Sequence, residues 1–110
     1  MSIDSQIEVT HWNGVTLLTP AADGTHSDFA ELLDLAAEST SRLLVVDLRH
    51  VEHLHTTAAL RLLELRQFAR RHGVQLRVCN LQEHAQKTLT ITRIRPLFEI
   101  HETEHAALVA

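Results

Sequence analysis

The sequence predicts an α/β fold: a mostly parallel sheet with an N-terminal antiparallel hairpin, helices packed on it, and the order ββαβαβαβα. Three observations carry this. Asn13-Gly14 joins two short strand-like runs, and this dipeptide best tolerates the positive φ angles of a tight hairpin turn. Leu43-Leu44-Val45-Val46-Asp47-Leu48 is almost unbroken in its apolarity, as in a strand covered on both faces. After it, helix-like and strand-like segments alternate.

Taken in order, Ile7-Glu8-Val9-Thr10-His11 alternates as a half-buried strand, and Val15-Thr16-Leu17-Leu18 is its hairpin partner, ended by Pro20. Thr25, Ser27 and Asp28 suit a helix start, and Phe29, Leu32, Leu33 and Ala36 form one face of that helix. Glu31, Asp34 and Glu38 lie off the stripe, and Ser39-Thr40-Ser41 closes the element. The 43–48 strand follows. A helix then runs from Thr56 or Thr57 to His72, holding Leu60, Leu62, Leu63, Leu65, Phe68 and Ala69, with Gly73 just past its end. Arg70, Arg71 and His72 suit the negative end of its dipole. Val74 to Cys79 alternates again. Gln82 to Leu89 is the third helix, with Asn80 as its expected N-cap. Leu97 to Ile100 is a last short strand, and a terminal helix follows from Thr103.

Composition narrows the function. The chain has 110 residues and is 45% apolar, enough for one folded domain, residues 1–110, without staples. Its single cysteine, Cys79, excludes an internal disulfide and suits a reducing compartment. The segment Met1 to Gln6 lacks the pattern of a secretion signal, and no apolar run is long enough to span a bilayer, so a cytoplasmic protein is expected. A net charge of −4 argues against nucleic acid as partner, and the absence of Tyr leaves little for base stacking.

The residues now support a resemblance. Leu44-Val45-Val46-Asp47-Leu48, then Val51, then His55-Thr56-Thr57-Ala58-Ala59-Leu60 resembles the core of a STAS domain, the domain of anti-sigma factor antagonists and of the sulfate-transporter C-terminus. In that family an apolar strand ends in Asp, and an Asp-Ser-Ser-Gly or Asp-Ser-Thr-Gly turn opens the next helix. Arg70-Arg71-His72-Gly73-Val74-Gln75-Leu76 and Leu97-Phe98-Glu99-Ile100, followed by Glu102, Glu104 and Ala106, resemble later parts of the family pattern. The resemblance covers nearly the whole chain. It departs at the signature, where His55 replaces Asp, Ala58 replaces Gly, and Arg93 stands where a second Gly is common.

The resemblance implies a non-catalytic bacterial regulator of transcription whose partner is a kinase-type anti-sigma factor. The first hydroxyl of the turn, Thr56, is then the phosphoacceptor, with Thr57 beside it. A phosphate there would carry about −1.5 to −2 charges at the positive end of a helix dipole. It would change the charge of a docking surface without unfolding the domain. His55, Ala58, Arg49 and Arg61 are the expected partner-binding residues. The bland alternative is that Thr56 or Thr57 simply caps the helix. His55 is also expected to pair with a phosphate that the family's Asp would repel.

Other features carry less. Arg61, Arg66, Arg70 and Arg71 read first as a solvated helix face and second as a surface for an acidic partner. Arg66 and Arg70, four apart, share a side. His101-Glu102-Thr103-Glu104-His105 matches H-E-x-x-H, but zinc enzymes need both histidines on one helix. Here a strand runs into His101 and Thr103 reads as an N-cap. His50, His53 and His55 lie together on a loop without a closed ligand set, and Cys79 reads as a buried strand-end residue. No metal and no cofactor are expected. The competing readings are a scaffold subunit bracing the ATPase of a lipid-transporting ABC complex and, far behind, a zinc hydrolase. Nothing in the sequence excludes a homo-oligomer.

Overall fold

The computed structural model describes residues 7–21 and 26–110. Its elements are β1 (Ile7–Trp12), β2 (Val15–Pro20), α1 (His26–Glu38), β3 (Leu43–Asp47), α2 (Thr56–Arg71), β4 (Gln75–Cys79), α3 (Glu83–Ile91), a 3-10 turn (Arg95–Leu97), β5 (Glu99–His101) and α4 (Glu104–Val109). One sheet runs β1-β2-β3-β4-β5. β1 pairs antiparallel with β2, and every later pairing is parallel. The fold class read from the sequence is therefore the observed one.

Each crossover from β2 to β5 advances one place in the same direction. Right-handed connections then put α1, α2 and α3 on one face of the sheet. Alternation along β3 divides its side chains between two cores. Leu44 and Val46 join Phe29, Leu32, Leu62, Leu65 and Leu89 under the three helices. Leu43 and Val45 join Val15, Cys79 and Ala107 under α4 on the other face. All five residues of β3 are buried, which is why its sequence lacks a polar alternation.

The turns obey the expected chemistry. Asn13 and Gly14 have φ of 50° and 76°, the paired positive values of a two-residue hairpin. At the end of α2, Gly73 has φ of 68°, Val74 N–H donates to Ala69 O at 2.8 Å, and Gly73 N–H donates to Arg70 O at 3.4 Å. This is a Schellman motif with glycine at its left-handed position. Thr103 caps α4, its hydroxyl accepting from Ala106 N–H at 3.0 Å.

Four expectations need correction. The last strand is Glu99–His101, not Leu97–Ile100, because Pro96 opens a 3-10 turn that takes up Leu97. Asn80 is not the N-cap of α3; that residue is Gln82. Asn80 instead takes φ of 55° and donates its side-chain amide to Asp47 Oδ1 at 3.0 Å. Leu60 is 49% exposed and does not belong to the core face of α2. The helix begins at Thr56 with His55 as N-cap, so neither threonine is the cap. The predicted cap Thr25 lies outside the described residues, as do the side chains of Ser27 and Asp28.

Candidate functional site

The loop between β3 and α2 leaves the sheet at the C-terminal ends of its parallel strands, where α/β folds usually place their working residues. Its anchors are Leu48, Val51 and Leu54, all fully buried, and Ala58 at the start of the helix. Between them Arg49, His50, Glu52, His53, His55, Thr56 and Thr57 are exposed. The apolar side chains pin the loop while the polar ones face outward.

His55 has an extended backbone (φ −73°, ψ 154°) and makes no side-chain hydrogen bond to the first turn. Its carbonyl accepts the first helical bond from Ala59 N–H at 2.9 Å. No acid lies in the first turn of α2. The helix therefore starts with its N–H dipoles neither capped by a side chain nor offset by a carboxylate, next to two exposed hydroxyls.

At the root of the loop, Asp47 is buried and satisfied on several sides. Its Oδ1 accepts from Arg49 N–H at 2.9 Å and from Asn80 Nδ2 at 3.0 Å, and its Oδ2 accepts from Arg49 Nε at 2.9 Å and Nη2 at 2.7 Å. The same Nη2 reaches Glu104 Oε2 on α4 at 3.0 Å. Burial works to raise the Asp47 pKa, but the bonds from Arg49 and Asn80 together hold it below the ordinary aspartate value. Burial and the neighbouring Asp47 carboxyl raise Glu104, and bonding to Asp47 raises Arg49. Cys79, paired with Asp47 across the strands, is pushed up to about 12 by burial and by the Asp47 and Glu104 charges. Its thiol is therefore inert.

The sequence-derived site residues divide accordingly. Thr56, Thr57 and His55 share one exposed segment. Arg49 is exposed, but its guanidinium is turned onto Asp47 and Glu104. Arg61 is half-buried and pairs with Glu64 at 2.6 Å. Ala58 is corrected: at 1% exposure it faces the core from the first turn and cannot touch a partner. The sequence reading missed Leu60, exposed four residues after Thr56 and so on the same side of the helix. It also missed His84 and Thr88 of α3, which hold Leu54. The signal for Leu60 was its spacing from Thr56; for the α3 pair the local sequence has none. In the H-E-x-x-H segment, His101 ends β5 and bonds Glu99 at 2.8 Å, while His105 lies in α4 beyond the Thr103 cap. Among the described residues no group of three or more His, Cys, Asp or Glu is arranged to hold a metal ion.

A mixed sheet of this order, with helices on both faces and an exposed hydroxyl pair opening the helix after its central strand, defines a single α/β domain class. The STAS domain model matches residues 7–107, and the chain belongs to the STAS domain family. A STAS-domain-containing protein of Pseudomonas aeruginosa is 35% identical over 77 residues, covering 70% of this chain and 75% of that protein. Among solved structures, a Thermotoga maritima protein described as an anti-sigma factor antagonist has a TM-score of 0.81 at 15% identity, covering 93% of this chain and 91% of that one. The anti-sigma factor antagonist SpoIIAA in its unphosphorylated form gives 0.74 at 8%, covering 93% and 92%. A sulfate transporter family protein of Wolinella succinogenes gives 0.67 at 17%, covering 86% and 83%. At these identities the structural likeness concerns the fold alone. Among the described residues no helix is long and apolar enough to cross a membrane.

Proposed function

We propose that this chain is a non-catalytic cytoplasmic regulator that docks a kinase-type anti-sigma factor on the exposed start of α2 and is switched by phosphorylation at Thr56. The observation that carries this is the first turn itself. Thr56 and Thr57 are exposed, the N-cap residue makes no side-chain bond to the helix, and no acid lies in its first turn. A phosphate on Thr56 would meet the positive helix end rather than a carboxylate, so the modified state keeps its fold. Leu60, exposed one turn on, offers the bare state an apolar contact that a partner can bury. The added charge would then repel a partner seated on both.

Family membership supports a regulatory role, and the solved proteins that share this fold include anti-sigma factor antagonists. The transporter-family likeness keeps the scaffold reading as the rival. Affinity purification from the native host, with mass spectrometry scoring phosphate on Thr56 and Thr57, decides between them. The expected result is a co-purified kinase-type anti-sigma factor and phosphate on Thr56. A co-purified transporter ATPase with unmodified threonines would overturn the proposal.

A further inference from the structure

Leu54 is fully buried, yet it lies in a loop with no strand beside it to take its backbone polar groups. Those groups need partners, and α3 supplies both. Leu54 N–H donates to His84 Nδ1 at 2.9 Å, and Thr88 Oγ1 donates to Leu54 C=O at 2.8 Å. His84 and Thr88 are four apart and therefore share one face of α3. They grip the chain one residue before the N-cap His55 and two before Thr56.

The bond to His84 has a chemical requirement. A ring nitrogen accepts only with a free lone pair, so His84 must be neutral with its proton on Nε2. The His53 ring of the loop meets the His84 ring edge-on at 5.0 Å.

We propose that His84 and Thr88 are positioning residues for the Thr56–Thr57 turn. This rests on the reading of that turn as the working segment. Neither residue touches the hydroxyls; they act through Leu54.

The test is amide hydrogen exchange by NMR on the labelled chain, corrected for intrinsic rates. Leu54 protection should be about tenfold lower in His84→Ala than in wild type, the scale of one lost hydrogen bond. His84→Asn places an acceptor oxygen where Nδ1 stood and should keep wild-type protection, whereas Thr88→Val should weaken it. Backbone order at Thr56 and Thr57 should fall together with Leu54 protection. Equal Leu54 protection in wild type and His84→Ala would overturn the proposal, as would a His84→Asn variant no better protected than His84→Ala. Unchanged order at Thr56 and Thr57 would overturn the positioning role. These readouts need neither kinase nor partner, so absence of phosphate on Thr56 would count against the proposed function while leaving them intact.

Discussion

Helices α2 and α3 leave neighbouring strands on the same side of the sheet, and both begin at an N-cap that makes no side-chain hydrogen bond. Their first turns nevertheless differ. α3 opens with Glu83, a carboxylate that offsets the positive dipole from within. α2 opens with Thr56 and Thr57 and has no acid, so its positive end is left for something external. The far ends differ in the opposite sense. Both finish in Schellman-type turns, with Val74 N–H donating to Ala69 O and Ile94 N–H to Leu89 O. α2 has Gly73 at the left-handed position, whereas α3 forces Arg93 to φ of 64°. Thus α2 is relaxed at its end and unresolved at its start, while α3 is the reverse. An open helix start beside a relaxed scaffold is suited to a switch; a closed one is suited to bracing it.

The largest effect should come from the root of the α2 loop. Asp47→Asn removes a buried charge from its guanidinium partner and should cost about 3 kcal/mol by urea denaturation. Glu104→Gln, on the half-exposed arm of the same network, should change stability by less than about 1 kcal/mol. The pH dependence follows in sign. The folded-state pKa of Asp47 is depressed, so its contribution is present above the ordinary aspartate range and lost as pH falls through the folded value. Acid titration of stability should therefore be steeper in wild type than in Asp47→Asn.

A second prediction erases the contrast at the helix ends. Arg93→Gly should stabilise the protein by about 1 kcal/mol, read as a rise in Tm of about 4 °C, because it removes a side chain from a left-handed position. Gly73→Ala should destabilise it by a similar amount, about 1 kcal/mol. If the two changes have the same sign, the comparison fails.

The smallest effect sharpens the contrast at the starts. Thr56→Asp supplies α2 with the acid it lacks and should stabilise by about 0.5 kcal/mol at low salt, fading as salt is added. Glu83→Gln should cost α3 about as much, roughly 0.3 to 0.5 kcal/mol, with the same salt dependence. Destabilisation by Thr56→Asp would show that the start of α2 does not welcome an anion.

The sequence disclosed the order of elements because each signal was local: the Asn13-Gly14 turn, the buried run at 43–48, and Gly73 after a helical stripe. It misled where a local preference lost to a distant partner. Asn80 is a reasonable cap on composition, but the Asp47 carboxylate lies within reach and takes its amide. Leu60 was placed inside because the apolar residues of α2 are more numerous than its buried face can take. The sequence already starts the helix at Thr56 or Thr57, but it leaves the cap to a threonine, and the structure passes that position to His55. The contacts of Leu54 with His84 and Thr88 join residues 30 and 34 apart in the chain. No pattern of period or spacing encodes such a meeting.

Cys79 has a practical side. It is the only cysteine in the chain, lies fully buried at a strand end, and its thiol is held up to about 12. At neutral pH the native protein therefore offers essentially no thiolate to an alkylating reagent. A cysteine substituted for Thr57 or Leu60 would be the sole reactive handle on the molecule. A fluorophore or spin label could then report on the start of α2 in an otherwise native background.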